Sequence, residues 1–105
     1  MYVVIFEVKV KASGKDQYLE IASKLKEQLV KMDGFISIER FTSLVEEGKI
    51  LSLSFWEDQN AIDNWKANID HMSAQQKGRE SLFEDYRIRV AEVVKDYTME
   101  TSMLN

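Results

Sequence analysis

The first apolar pattern along the chain has a period of two. Residues 2–11 alternate, and one face of this segment is apolar throughout, with side chains Tyr2, Val4, Phe6, Val8 and Val10. The other face begins with Val3 and Ile5 and turns polar at Glu7. Alternation of this kind predicts a β-strand with one buried face.

The next pattern has a period of three to four, which predicts a helix with one buried stripe. The stripe consists of Tyr18, Ile21, Ala22, Leu25, Leu29 and Met32. Ser13, followed three residues later by Asp16, predicts the start of this helix in the manner of a capping box. Gly34 stands where a left-handed residue ends many helices.

Residues 35–44 and 49–56 form two further predicted strands, with turn chemistry at Glu46, Glu47 and Gly48. In the second strand, one face carries Leu51, Leu53 and Phe55, and we expect it to face the core. The other face is mixed and includes Ile50, Ser52, Ser54 and Trp56. Trp56 ends the strand, so we expect it to pack beneath the start of the next helix.

A second helix is predicted over residues 58–82, because apolar residues again recur at helical spacing: Ala61, Ile62, Trp65, Ile69 and Met72. Glu57 and Asp58 place negative charge at its beginning, where the helix dipole favours it. Residues 86–97 are β-branched and aromatic, and they predict a last strand. We expect residues 1–97 to form a single domain and residues 98–105 to form a tail that is ordered only if it docks.

The predicted order of strand, helix, strand, strand, helix, strand indicates an α+β fold. Right-handed connections give a ferredoxin-like βαββαβ fold, with a four-stranded antiparallel sheet and both helices on one face. The other face carries apolar side chains that a monomer leaves in water. We therefore predict a homodimer in which two sheets pack face to face.

Composition narrows the classes of function. The chain has 105 residues, 45% hydrophobic, which suits one small domain. A net charge of -4 without a basic patch argues against a nucleic-acid partner. The chain contains no cysteine, no apolar run of membrane-spanning length and no secretion signal, so we expect a cytoplasmic protein without a membrane partner.

Candidate chemistry concentrates in the second predicted helix. A line of polar side chains runs beside its apolar stripe: Asn64, Asn68, His71, Gln75 and Arg79. Such a line lies where a helix meets the sheet, so its side chains can point into a cleft. His71 is the only histidine, which excludes a multi-histidine metal site within one chain, and its ordinary pKa suits proton transfer.

Each candidate also has a structural interpretation. Trp65 at helical spacing fits core packing, and His71 or Gln75 fits a solvated surface. Arg79 can pair with Glu80 or Glu84 instead of an anionic ligand. Glu7 either reaches solvent or lines the cavity. No dinucleotide fingerprint, phosphate loop or Ser or Cys nucleophile motif is present.

These residues carry a resemblance that extends from residue 2 to about residue 97. The pattern is similar to the antibiotic biosynthesis monooxygenase (ABM) domain family at these positions: Phe55-Trp56, Ala61, Trp65, His71, Ala74-Gln75, Gly78-Arg79, Tyr86 and Asp96-Tyr97. The resemblance implies a dimeric α/β barrel with a pocket between sheet and helices. It also implies oxygen-dependent oxidation of a quinol-like or polycyclic aromatic molecule without metal or flavin.

By that resemblance, Trp65 forms a pocket wall, His71 is a base, and Arg79 or Tyr86 is the partner of an anion. The haem-degrading branch of the family implies a second function through an Asn, Trp, His set. Trp65 matches its tryptophan, but Glu7 and Gln75 stand at the other two positions. A small-ligand-binding dimer without catalysis is the third class.

Overall fold

A computed structural model describes the backbone of residues 1–75 and 83–102, and the side chains of residues 1–67 and 85–101. Its elements are β1 (Tyr2–Val10), a short 3-10 turn (Ala12–Gly14), α1 (Lys15–Leu29), β2 (Phe35–Thr42), β3 (Lys49–Trp56), α2 (Gln59–Gln75), β4 (Phe83–Glu92) and α3 (Met99–Ser102). None of the described helices is long and apolar enough to cross a membrane.

The four strands form one sheet in the order β2-β3-β1-β4, and every neighbouring pair is antiparallel. In the register, Val4 of β1 lies opposite Ser54 of β3 and Val90 of β4. Helices α1 and α2 each connect two strands that are separated by a third one in the sheet. This is the ferredoxin-like arrangement, so the predicted α+β fold is confirmed.

The helix-facing side of the sheet holds the core. On β1, the predicted face is confirmed, because Val4, Val8 and Val10 are buried. On β3, the prediction was wrong. The register pairs Ile50 and Trp56 with the buried face of β1, and the two residues are 5% and 0% exposed.

Leu51, Leu53 and Phe55 of β3 instead share the opposite side of the sheet, which we call the open face, with Val3 and Ile5 of β1. These five side chains are each half-buried. The open face is therefore more apolar than the sequence pattern suggested.

The start and end of α1 also differ from the prediction. Ser13 lies in the 3-10 turn, and Gly14 precedes the helix without any side-chain cap. The helix ends at Leu29, and Gly34 adopts a positive φ of 85° in the turn that leads into β2. A left-handed residue is needed in this turn and not at the helix end.

The last strand is shifted relative to the prediction. β4 covers Phe83–Glu92, not residues 86–97. Glu92 lies opposite Tyr2, the first residue of β1, and Val93 donates one more backbone hydrogen bond to the carbonyl of Met1. The β-branched sequence after Val93 is not part of the strand.

Candidate functional site

Helix α2 places Trp65 against the sheet. The helix begins after Asp58, whose carboxylate accepts a hydrogen bond of 2.9 Å from the backbone N–H of Ala61. Ala61, Ile62 and Trp65 are 4%, 4% and 6% exposed, so the predicted apolar stripe is confirmed over its described part. Ile69 and Met72, also predicted in this stripe, have side chains outside the described residues.

The aromatic surroundings of Trp65 come from two strands. Phe6 of β1 meets it edge to face, with ring centroids 6.4 Å apart and ring planes at 84°. Trp56 at the end of β3 lies 6.3 Å away. Trp56 joins Ala61 and Ile62 in one buried cluster, which confirms that it packs beneath the start of α2.

Phe6 also joins Trp65 to Tyr86, a predicted binding residue. The rings of Phe6 and Tyr86 stack with centroids 5.8 Å apart and an angle of 15° between planes. Tyr86 is 58% exposed. We call these three side chains the aromatic site. Sequence reasoning placed Phe6 on the correct strand face but did not single it out as a site residue.

Glu7 lies on the opposite side of the sheet from the aromatic site. On the open face it forms ion pairs with Arg89 at 2.6 Å and with Lys49 at 3.4 Å. The hydrogen bond from Arg89 lowers the pKa of this carboxyl below its ordinary value, and Lys49 adds to the effect. The structure therefore separates Glu7 from Trp65 and Tyr86.

The predicted polar line is described in part. Asn64 is exposed on α2. His71 belongs to the same helix, but its side chain and those of Asn68 and Gln75 lie outside the described residues. Arg79 lies outside them entirely.

A half-buried cation that the sequence did not predict as a site residue lies under α1. Arg40 of β2 donates a long hydrogen bond of 3.4 Å from Nη2 to the carbonyl of Ala22. Its Nε atom is buried and has no hydrogen-bond partner among the described residues. An unsatisfied buried donor costs about 1–3 kcal/mol, and more when it is charged.

Tyr18 of α1 lies beside Arg40 and is only 7% exposed. Burial raises the pKa of its phenol, and the charge and hydrogen bonding of Arg40 partly offset that rise. The phenol therefore remains protonated at neutral pH, next to a permanently charged guanidinium.

The haem-binding set implied by the resemblance is only partly compatible with this arrangement. Glu7, at the position of the asparagine, faces away from Trp65 and is paired with two cations. Within the described residues, no three His, Cys, Asp or Glu side chains cluster in a way that could hold a metal ion.

Comparison with known proteins decides the family. The family profile described as "Antibiotic biosynthesis monooxygenase" matches residues 1–77. The chain belongs to the antibiotic biosynthesis monooxygenase family. The resemblance drawn from the sequence is confirmed. The matched residues include Phe6 and Trp65 of the aromatic site, and Tyr86 lies beyond them.

Two curated proteins are similar to this chain in sequence. A protein of Pyricularia oryzae named jasmonate monooxygenase ABM is 45% identical over 93 residues, which cover 89% of this chain and 43% of that protein. The chain thus spans less than half of that relative. The uncharacterized protein YqjZ of Bacillus subtilis is 32% identical over 88% of this chain and 78% of its own.

Solved structures share the fold at low identity. An ABM-family structure from Deinococcus radiodurans has a TM-score of 0.79 at 14% identity, covering 94% of this chain and 98% of its own. SnoaB of Streptomyces nogalater, described as a cofactor-independent oxygenase, has a TM-score of 0.73 at 8% identity, covering 90% and 94%. At these identities, the likeness concerns the fold alone.

Proposed function

We propose that this ABM-family chain is a monooxygenase that oxidises a quinol-like or polycyclic aromatic molecule without a metal or flavin. Family membership supports the class of reaction. The observation that carries the substrate class is the aromatic site, in which Phe6 meets the face or edge of two other rings and Tyr86 is more than half exposed. Flat aromatic surfaces of this kind suit a planar ligand.

The proposed chemistry relies on the substrate as its own reductant. An anthrone, for example, loses a proton from its CH₂ carbon, and the resulting carbanion reduces O₂ to give a hydroperoxide on that carbon. Loss of water then leaves a carbonyl, so one oxygen atom enters the product and the other leaves as water. The protein contributes deprotonation, exclusion of water and stabilisation of the anion.

Roles for individual residues follow the same proposal. Trp65 forms the wall of the site, and His71 takes the proton from the substrate carbon. Tyr86 and Arg79 stabilise the anion that remains. Polar groups of the substrate are contacted by three further residues of α2, the helix that carries Trp65: Asn64, Asn68 and Gln75.

A second substrate class enters through the Pyricularia oryzae relative, whose name specifies jasmonate. Jasmonate is an alicyclic ketone that carries a carboxylate, not an aromatic ring. The apolar wall of Trp65 and Phe6 accepts either kind of ring, so we include jasmonate among the candidate substrates.

Oxygen uptake by the purified, chelator-treated protein tests the proposal against a panel of anthrones, quinols and jasmonate. The protein offers a matched pair of variants, since Tyr86 and Tyr97 are 58% and 57% exposed, but only Tyr86 stacks on Phe6. Loss of a stacking partner worth about 0.5–1.5 kcal/mol predicts that Tyr86→Ala lowers kcat/KM about two- to tenfold. Tyr97→Ala should leave kcat/KM unchanged. An absence of uptake across the panel would favour a non-catalytic binding protein.

We also propose that two copies of the chain pair through their open faces. Val3, Ile5, Leu51, Leu53 and Phe55 form a continuous apolar surface there, and neighbouring Phe41 is 41% exposed. An uncovered surface of this kind is unusual in a monomer. Pairing of two sheets would cover it and would complete a dimeric α/β barrel.

A further inference from the structure

The helix-facing side of the sheet holds two separate clusters of buried residues. One includes Trp56 and Trp65, and the other includes Tyr18 and Ile50. Phe6 packs against both clusters. The boundary between them therefore runs across the sheet at the level of Phe6.

Arg40 and Ser52 continue this boundary. In the register, Phe6 lies opposite Ser52, and Ser52 lies opposite Arg40. A row of side chains thus runs from an aromatic ring on β1, over a small hydroxyl on β3, to a guanidinium on β2. Adjacent strands lie about 4.8 Å apart, so the backbones of Phe6 and Arg40 are about 10 Å apart.

The guanidinium of Arg40 is only partly satisfied by the described part of the chain, where it shares a hydrogen bond with the phenol of Tyr18. Its Nη2 hydrogen bond to the carbonyl of Ala22 is long, and its buried Nε has no acceptor in the described part of the chain. None of the ion pairs found among the described residues involves Arg40. A half-buried cation with an unused donor is suited to an anionic acceptor that is not part of the chain.

We infer that Arg40, with Ser52 beside it, binds the acidic group of a cyclic organic acid whose ring lies against Phe6 and Trp65. This inference rests on the proposed function, because it orients a substrate within the same site. It adds that the substrate carries a carboxylate or an equivalent anion on the side of its ring that faces Arg40, two strands away from Phe6. Arg40 is thereby a specificity-determining residue, remote from the oxidised carbon.

Tyr18 interacts with Arg40 and is compatible with this arrangement. Its phenol stays protonated, since burial raises its pKa, so it brings no negative charge to neutralise the guanidinium. A planar guanidinium binds a carboxylate through two parallel N–H···O bonds, whereas a lysine ammonium acts as a point charge. The arginine fork therefore distinguishes an acid from its neutral ester.

Equilibrium binding of paired probes tests the inference without requiring turnover. The probes are jasmonic acid with its methyl ester, and 1-naphthylacetic acid with its methyl ester, measured by tryptophan fluorescence or calorimetry. In the unaltered protein, we expect each acid to bind at least tenfold more tightly than its ester. Arg40→Gln should reduce this ratio to about one, and Arg40→Lys should reduce it severalfold.

Arg87→Gln is the matched control, because Arg87 lies on the open face opposite Glu7 and away from the row. It should keep the full acid-over-ester ratio. Circular dichroism reports whether each variant is folded, and Arg40→Lys decides the question if Arg40→Gln does not fold. An unchanged ratio in a folded Arg40 variant, equal binding of acid and ester, or no binding of either pair would overturn the inference.

Failure of the proposed function gives a different result. If the acids bind through Arg40 but no compound of the oxygen-uptake panel is oxidised, the acid subsite stands and the monooxygenase proposal fails. If uncharged quinols are oxidised but the acids do not bind more tightly than their esters, the monooxygenase proposal stands and the acid subsite fails.

Discussion

The indole Nε1 of Trp56 donates a hydrogen bond of 2.9 Å to Oγ of Ser54, and both side chains are buried. Ser54 is 3% exposed, at the centre of the sheet's helix-facing side. A buried indole N–H needs an acceptor, and the serine two residues earlier on the same strand face supplies it. A polar residue thus belongs to the core because of its tryptophan neighbour.

Ser54→Ala leaves the N–H of Trp56 without this acceptor, and we expect it to reduce the free energy of unfolding by about 1–3 kcal/mol. Denaturant unfolding monitored by tryptophan fluorescence measures the change. Ser52→Ala, at the next helix-facing position of β3, is the control and should change stability by less than about 0.5 kcal/mol. Equal effects of the two substitutions would show that the hydrogen bond contributes nothing specific.

The ion pairs of Glu7 predict a pH dependence of stability. Arg89 and Lys49 depress the pKa of Glu7 in the folded protein below its ordinary value of 4.5. The stabilisation by this carboxylate is therefore present above pH 4.5 and is lost as the pH falls through the lower folded pKa. Glu7→Gln should lose less stability than the unaltered protein between pH 7 and pH 3.

Thermal unfolding at a series of pH values measures this difference. Glu39→Gln is the control, since Glu39 is exposed on β2. Parallel stability curves for Glu7→Gln and the unaltered protein would contradict the assigned role of Arg89.

The open face predicts a change in oligomeric state. Leu53→Glu places a charge among the apolar side chains of β3, and we expect it to convert a dimer into a monomer. Light scattering coupled to size exclusion measures the mass. Leu44→Glu introduces the same charge at a fully exposed loop residue and should remain dimeric. A monomeric unaltered protein would refute the paired-sheet proposal.

Gly34 is predicted to be intolerant of a side chain for two reasons. Its φ is 85°, and a Cβ would lie 2.9 Å from the Cβ of Ala61. Strain and contact together should lower the unfolding free energy of Gly34→Ala by more than about 1 kcal/mol. Because Ala61→Gly removes the contacting atom, the double variant should be more stable than the sum of the single effects predicts. Additive effects in denaturant unfolding would show that the backbone alone sets the cost.

Periodicity predicted most of the fold, because the buried faces of β1, α1 and α2 follow simple repeats. It failed on β3, where the more apolar face, with Leu51, Leu53 and Phe55, is not the helix-facing one. Both sides of this strand carry apolar residues, so only pairing with β1 shows which side meets the helices. The apolar residues that misled the assignment of the core face lie on the open face, which a second copy of the chain would cover.

The candidate site was predictable to a lesser extent. Helical spacing identified Trp65, and the family resemblance identified Tyr86. Arg40 could not be identified in this way, because Glu39 and Arg40 are adjacent charges and alternation does not show which of them faces the helices. Only the register, which places Arg40 opposite Ser52, reveals a cation beneath α1.

The most direct test of the proposed function is the fate of molecular oxygen. The purified, chelator-treated protein is incubated with an anthrone under ¹⁸O₂, and the product is analysed by mass spectrometry. We expect a quinone that contains one ¹⁸O atom, formed faster than in a reaction without protein and more slowly with Trp65→Phe. A product without ¹⁸O, or the same rate with and without the protein, would contradict the proposed function.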